Sequence, residues 1–213
     1  WETESRMDLQ ELVGPAHTAL CIVECQNGVV GPESSMAAVA DAVAKAGLLS
    51  RLGGLAAAAR TAGVKVVHAT FHSRADQWGG NRNSRLFAAA RRADVQQVVG
   101  TSAVDPAPEL GYEPGVDVVL PRFHGLSADS GSGLSAMLHN EGITTVVVAG
   151  VTLNVAIPNT VFDLVNAGFQ VVVPTDGSVA TPVAYGDQVL AHTLAYVATL
   201  SDVTTLTEAW LQA

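Results

Sequence analysis

The sequence has few cations and no long hydrophobic run. Its 213 residues include 11 Lys and Arg against 20 Asp and Glu, a formal net charge of −9, which argues against a nucleic-acid partner. Apolar stretches are broken by Gly, Thr or Pro within about ten residues, too soon to span a membrane. The polar, acidic first residues show no signal peptide. We therefore expect a cytoplasmic protein with neither nucleic acid nor membrane as a partner.

Cysteine is also scarce, with Cys21 and Cys25 as the only two. They lie four residues apart on one predicted strand, a spacing at which disulfide geometry is difficult to reach, so both are expected to be reduced. His68, His72 and His124 invite a metal interpretation. However, no clustered Cys and His residues have the spacing of a metal motif. We therefore predict no metal and no cofactor.

Short β-branched runs alternate with Ala-rich segments of helical periodicity along the chain. They predict strands at residues 17–24, 64–70, 117–120, 144–149, 169–173 and 203–205, and helices at residues 36–62, 85–93, 131–140, 154–168 and 182–199, with a further terminal helix. This alternation indicates βαβ units and a parallel sheet covered on both faces. We predict a mobile N-terminal arm over residues 1–16 and a single α/β domain over residues 17–213. The pair Gly53-Gly54 is costly within a helix and predicts a kink or a close helix contact.

The most informative segment is residues 146–166, VVVAGVTLNVAIPNTVFDLVN. A buried strand ends at Gly150, and a helix is expected to open between Asn154 and Pro158, because Asn favours the cap and Pro is tolerated in the first turn. Such a turn directs backbone N–H groups into the crevice at the carboxyl end of the sheet, where open α/β sheets bind ligands. The candidate site is therefore placed at this turn.

Glu24 ends the first predicted strand in the run Glu24-Cys25-Gln26-Asn27. A carboxylate at the end of a buried apolar strand is poorly explained by packing. Glu24 is therefore either an acid or base facing the crevice or a structural ion-pair or capping partner. Arg122, after the third predicted strand, either binds substrate, forms a salt bridge with Glu24 or lies on the surface. Cys25 points to the opposite face of the strand from Glu24 and is interpreted as a core residue.

Two polar loops are expected near the crevice. The loop after the second strand carries Asn81 and Asn83, which offer amide contacts to a ligand unless they are simply solvated. Trp78, in the same loop, either walls a pocket or sits at a subunit contact. His124 lies on the loop of Arg122, as a proton donor or as an ordinary hydrogen-bonding residue.

The pattern G-V-T-x-N-V from Gly150, continued by I-x-x-T and F-D-x-V-N-A-G-F-x-V-V-V-P-x-D, resembles the signature of the isochorismatase-like cysteine hydrolases. The resemblance covers about residues 17–205. It implies a Rossmann-like three-layer α/β/α fold with a six-stranded, mostly parallel sheet, acting as a hydrolase on a small molecule. It also implies a homo-oligomer, a dimer or a tetramer.

The same resemblance assigns candidate roles. Ala156 holds the position of the family's nucleophilic cysteine, Glu24 that of its acid, and Arg122 that of its lysine. A cis peptide is implied between Val151 and Thr152, in a turn whose backbone N–H groups form the family's oxyanion hole. The candidate substrate-binding residues are Asn27, Asn81, Asn83, His124, Val151 and Thr152.

Three functions follow from the missing thiol. The first is non-covalent acid/base hydrolysis through Glu24, which suits a labile enol ether better than an amide, because one positioned acid typically contributes about 10²–10⁴-fold. The second is a catalytically silent protein that only binds a small molecule. The third is a structural subunit that keeps the fold for assembly.

Overall fold

The structure is a computed structural model that describes residues 8–212, and its centre is a parallel β-sheet. The strands are β1 (Thr18–Val23), β2 (Lys65–Phe71), β3 (Val118–Arg122), β4 (Thr145–Val151), β5 (Gln170–Pro174), β6 (Ser178–Val179) and β7 (Thr199–Ser201). The helices are α1 (Leu9–Leu12), α2 (Asn27–Val30), α3 (Ala37–Ala46), α4 (Leu48–Ala62), α5 (Arg85–Ala90), α6 (Leu134–Asn140), α7 (Ala156–Asn166), α8 (Val183–His192) and α9 (Val203–Leu211).

The sheet order is β3-β2-β1-β4-β5-β7, with the two-residue β6 beside the end of β4. All the strand pairs are parallel. The described residues therefore confirm the predicted three-layer α/β fold, but the sheet has seven strands rather than six. The chain winds outward in opposite directions from β1 and β4, so the topological switch point, where such sheets bind ligands, lies between these two strands.

Both faces of the sheet are covered by helices. Alternate residues of β1 pack into separate cores: Leu20 and Ile22 belong to the core that contains α4 and α9, whereas Cys21 and Val23 belong to the one that contains α6 and α7. β1 and β4 are buried at every position. Burial on both faces explains why these strands read as continuous apolar runs rather than as alternating ones.

The predicted single helix over residues 36–62 is two helices. Gly47 adopts a left-handed conformation (φ +62°) that ends α3 and begins α4, and the two axes differ by 65°. Gly53 and Gly54 lie inside α4 without breaking it. The predicted close contact is found at Gly53, where a Cβ would lie 2.2 Å from the carbonyl oxygen of Glu109.

The prediction of a short strand near the C-terminus was wrong. Residues 203–205, expected to form a strand, are the first turn of α9, because Asp202 caps this helix by accepting a hydrogen bond from the N–H of Thr205 at 2.8 Å. The edge strand is β7, and the predicted helix over residues 182–199 ends as α8 at His192. β-branched residues at 203–205 favour a strand locally, but the Asp202 side chain and the packing of α9 on α4 favour the helix.

Residues 1–7 of the predicted arm lie outside the described residues. Residues 8–16 pack on the domain: Leu12 and Val13 are buried, and the indole Nε1 of Trp210 donates to the carbonyl of Val13 at 3.0 Å. In the described part of the chain, no single helix is long and apolar enough to cross a membrane, although the bent pair α3–α4 meets those criteria when counted together.

Candidate active site

A cavity of about 380 Å³ lies at the carboxyl end of the sheet. One side is formed by Glu24 after β1, Arg122 at the end of β3, and the turn from Thr152 to Ala156 between β4 and α7. The other side is formed mainly by residues between 71 and 97, including α5. Strand ends on both sides of the switch point thus converge on one space, at the turn from which the sequence analysis placed the site.

Glu24 lines this cavity. Its φ of +53° is in the left-handed region, which non-glycine residues seldom adopt and which clusters at functional sites. Its backbone N–H donates to the carbonyl of Ala69 at 2.8 Å, and its carboxylate accepts a hydrogen bond from Nη2 of Arg122. Glu24 therefore both faces the cavity and forms an ion pair, while its role as an acid or base stays a prediction.

Arg122 is the buried partner of this pair, with its side chain only 4% exposed. It is the last residue of β3 rather than a loop residue, and its guanidinium lies 5.3 Å from the centre of the Phe71 ring. Nε and Nη1 have no hydrogen-bond partner in the described chain. Because a guanidinium keeps its proton near neutral pH, Arg122 can neutralise and orient but cannot shuttle protons.

The turn between β4 and α7 contains the cis peptide that the resemblance implied, between Val151 and Thr152. Ala156 is the first residue of α7 and lines the cavity with Thr152. In the described first turn of α7 the N–H of Ala156 has no protein acceptor, whereas the next two N–H groups donate to backbone carbonyls at 3.1 Å, so one N–H is left for a ligand. Asn154 does not cap α7 as predicted. Its side chain instead forms two 2.8 Å hydrogen bonds to the backbone of Thr181.

No thiol reaches the cavity among the described residues. Cys21 and Cys25 are both free and buried, and neither lines the cavity. Burial raises the pKa of the Cys21 thiol to about 12. Burial and the neighbouring Glu24 carboxylate raise the pKa of the Cys25 thiol well above its ordinary value. Neither cysteine supplies a thiolate to the cavity, and only the thiolate form of a cysteine is an effective nucleophile.

Of the two loop amides, Asn81 lines the cavity and Asn83 does not. The Oδ1 of Asn81 accepts from the N–H of Gly125 at 2.7 Å, which ties the loop after β2 to the loop after β3. Asn83 accepts a 3.2 Å hydrogen bond from the Asn81 amide. His124 is exposed outside the cavity, and its ring lies against Gly131, where a Cβ would come within 2.3 Å of Nε2.

Asn27 and Val151 are also outside the cavity lining. The amide of Asn27 donates to the carbonyl of Ser102 at 3.0 Å, and its backbone N–H donates to that of Asp105 at 3.0 Å. Asn27 therefore holds the segment before β3 in place. Val151 is fully buried in the core with α4 and α9. Of the predicted site residues, the structure brings Glu24, Arg122, Thr152, Ala156 and Asn81 together.

The sequence analysis missed most of the wall formed by residues 71–97. The lining residues from this wall are Phe71, Ser73, Arg74, Gln77, Trp78, Gly80, Asn81, Leu86, Phe87, Ala89, Ala90, Arg91, Gln96 and Gln97. The length of the polar loop was a signal of function, but no local pattern indicates which face of α5 turns inward. Trp78, expected to wall a pocket or a subunit contact, lines the cavity with its side chain 75% exposed.

His68 and His72, considered above as metal ligands, are held by other side chains. Nε2 of His68 lies 3.1 Å from Oδ2 of Asp117, and Nε2 of His72 lies 2.8 Å from Oγ1 of Thr70. Burial lowers the pKa of both imidazoles. Among residues 8–212, no group of three His, Cys, Asp or Glu side chains is placed to hold a metal ion.

Comparisons with known proteins agree over nearly the whole chain. A family model described as the isochorismatase domain matches residues 18–205. A search of curated protein sequences gave no match.

Three solved structures illustrate the likeness. A cysteine hydrolase from Pseudomonas syringae pv. phaseolicola 1448A has a TM-score of 0.78 at 18% identity, over 94% of this chain and 95% of the other. An isochorismatase family protein from Desulfovibrio vulgaris subsp. vulgaris str. Hildenborough has a TM-score of 0.77 at 25% identity, over 92% and 99%. A pyrazinamidase/nicotinamidase from Streptococcus mutans UA159 has a TM-score of 0.67 at 19% identity, over 86% and 99%.

Proposed function

Because the chain belongs to the isochorismatase family, we propose that it is a small-molecule hydrolase that works without a covalent intermediate and uses Glu24 as its acid or base. One observation carries the proposal. In the described part of the chain, Glu24 is the only carboxyl group that lines the cavity, and the lining contains no Cys, His or Lys. Proton transfer in this cavity therefore falls to Glu24.

An enol ether is the substrate class that this arrangement favours. Acting as the acid, the Glu24 carboxyl would transfer a proton to the β-carbon of the C=C bond, and water would add to the resulting oxocarbenium carbon and return a proton to Glu24. The C–O bond of the hemiketal then breaks, which releases an alcohol and a carbonyl compound. Arg122 holds the Glu24 carboxyl in position through their hydrogen bond. One acid of this kind contributes about 10²–10⁴-fold, enough for a labile enol ether but little for an amide.

An ester is the alternative substrate of the same site. The carboxylate of Glu24 would take a proton from water as the water oxygen attacks the carbonyl carbon. The ester C–O bond of the tetrahedral intermediate would then break, and the Glu24 carboxyl would return the proton to the departing alcohol. The N–H of Ala156, the first residue of α7, has no protein acceptor in the described chain and would donate to the oxyanion that forms. The pH dependence distinguishes the two routes, because general-acid catalysis falls and general-base catalysis rises as the pH increases.

Turnover of a panel of enol ethers, esters and amides tests the proposal. We expect an enol ether to be hydrolysed, and Glu24→Gln to lower kcat by about 10²–10⁴-fold. Glu33→Gln is the matched control, since Glu33 is exposed and lies outside the cavity. Full activity of Glu24→Gln on a substrate that the wild type hydrolyses would show that the carboxyl has no catalytic role.

A catalytically silent binding protein is the second candidate, and the alanine at position 156 favours it, because the cavity is kept without a cysteine in its described lining. The variant Ala156→Cys distinguishes the candidates. If the wild type is inert on the whole panel and Ala156→Cys alone gains amidase activity, the scaffold has lost its chemistry and a binding function is the better account. If the wild type already hydrolyses an enol ether, the non-covalent mechanism holds.

A further inference from the structure

Cationic side chains outnumber acidic ones around the cavity. Arg74, Arg91 and Arg122 line it, whereas Glu24 is the only acid that does so in the described chain. This excess of cations occurs on a protein whose formal net charge is −9. A cleft lined by one sign of charge with apolar walls concentrates the field within it and attracts ligands of the opposite sign.

Two of the three arginines already have carboxylate partners. Arg122 pairs with Glu24, and Arg74 forms a two-point contact with Asp76 at 2.9 and 2.7 Å. Arg91 differs from both, since within residues 8–212 its side chain forms no ion pair and makes a single hydrogen bond, from Nη1 to the carbonyl of Gln77 at 3.1 Å. Its remaining N–H groups, including the whole of Nη2 and Nε, have no protein acceptor there.

Arg91 is nevertheless held in position. It follows α5 directly, with its backbone N–H bonded to the carbonyl of Phe87 at 3.1 Å, and its side chain is half-buried. The Gln77 carbonyl that it contacts is fixed in turn, because the N–H of Gln77 donates to the carbonyl of Arg74 and its amide donates to Gln96. A guanidinium restrained at one nitrogen and free at the others is pre-organised for a two-point contact with a carboxylate.

The rest of the cavity is mostly apolar. α5 contributes Leu86 and Phe87, and the region from α2 to the start of α3 contributes Val29 and Met36. A volume of about 380 Å³ is within the range of small-molecule sites. The lining therefore matches a ligand with an apolar body and one anionic end.

We infer that the cavity selects an apolar monocarboxylate, with Arg91 as the residue that pairs with its carboxylate. The inference rests on the proposed function only in taking this cavity as the substrate site. Arg91 is a specificity-determining residue here and takes no part in proton transfer. The unpaired cation then compensates locally for the repulsion that an acidic protein exerts on an anion.

A binding measurement tests the inference without turnover. We would titrate the full chain at low salt with 4-phenylbutanoate and with its neutral isostere 4-phenylbutanamide, by calorimetry. We expect the carboxylate to bind about 10-fold more tightly than the amide, and the preference to shrink in about 1 M salt. Arg91→Gln should reduce the preference to within about 2-fold and leave the affinity for the amide unchanged.

Two further variants complete the test. Arg92→Gln is the matched control, because it removes the same charge from the next residue, which is exposed and outside the cavity; it should keep the wild-type preference. Arg91→Lys keeps the charge without the planar guanidinium and should give an intermediate preference for the carboxylate. It also keeps the test possible if Arg91→Gln does not fold.

Three results would overturn the inference: equal affinity for the two ligands, an equal loss of preference in Arg91→Gln and Arg92→Gln, or no binding of either ligand at about 10 mM. Its failure is separable from that of the proposed function. A protein that hydrolyses an enol ether but binds both probes equally contradicts the role of Arg91 alone, whereas an inert protein with the expected preference contradicts only the proposed reaction.

Discussion

The adjacent glycines of α4 allow a sharp test of how the fold is packed. Gly53 and Gly54 are adjacent in the interior of α4, but a Cβ added at Gly53 would lie 2.2 Å from the carbonyl oxygen of Glu109, whereas a Cβ at Gly54 would have no atom within 4 Å. Replacing each by Ala therefore changes helix propensity equally and packing very differently.

The expected magnitudes follow from these distances. In a helix interior Ala is more favourable than Gly by about 1 kcal/mol, so Gly54→Ala should raise the free energy of unfolding by about that amount. At Gly53 the overlap is with backbone, which cannot rotate away. The turn at Pro108–Leu110 is also held, because Leu110 is fully buried and Arg60 donates to its carbonyl. Overpacking costs about 1–3 kcal/mol, so Gly53→Ala should be neutral or destabilising, by up to about 2 kcal/mol.

Urea unfolding at pH 7, followed by tryptophan fluorescence, measures both variants against the wild type. The two changes should differ by about 1–3 kcal/mol. If Gly53→Ala stabilises the protein as much as Gly54→Ala does, the close approach of α4 to the turn at Pro108–Leu110 is not a constraint in solution, and the argument from the added Cβ is refuted.

Further predictions concern the buried Asp117 network, pH and assembly. Asp117→Asn should lower the free energy of unfolding by about 3–5 kcal/mol. Arg60, which donates to the Asp117 carboxylate at 2.9 and 2.8 Å, would then be buried without its counter-charge. Asp76→Asn, which breaks an exposed pair, should change the urea midpoint far less. Burial lowers the pKa of His68, so the unfolded chain binds a proton at a higher pH than the folded protein does. The free energy of unfolding should therefore fall as the pH drops below 6.5, towards the folded pKa. An unchanged urea midpoint from about pH 8 to 5 would contradict this. The carboxyl of Asp117 has its pKa lowered because hydrogen bonds from Arg60, Glu113 and His68 outweigh its burial, so its stabilisation should be lost only in stronger acid, as the pH falls below about 4. We also propose a homo-oligomer, which light scattering after size exclusion would detect as a dimer or tetramer and a monomer would contradict.

The central strands and the helix after β4 could be predicted because their signals are local. β1 and β4 are buried on both faces, which requires uninterrupted apolar residues, and these runs stand out in the sequence. The boundary errors arose where a local preference met a tertiary contact. The apolar periodicity of residues 36–62 continues through Gly47, but its left-handed backbone turns the chain by 65°.

The candidate site divides in the same way. Glu24, Arg122, Thr152 and Ala156 lie at strand ends or in the turn after β4, and parallel strands bring their carboxyl ends to one edge of the sheet, so their convergence follows from the order of elements. Asn27 lies at the same edge, but it is used to hold the segment at residues 102–105. No sequence pattern separates an amide that faces a ligand from one that braces a loop.

By itself, then, the sequence determined the α/β class, the position of the candidate site and the presence of an alanine at residue 156, because strand periodicity, turn chemistry and residue identity are encoded locally. Only the tertiary structure decided how residues 72–97 fold back over the sheet edge. The path of residues 72–97 over the sheet edge places Arg91 and the apolar face of α5 in the cavity wall. It depends on contacts between distant segments, such as the hydrogen bond from Gly125 to Asn81. Such contacts arise from packing of the whole chain and leave no periodic signal in the segment itself.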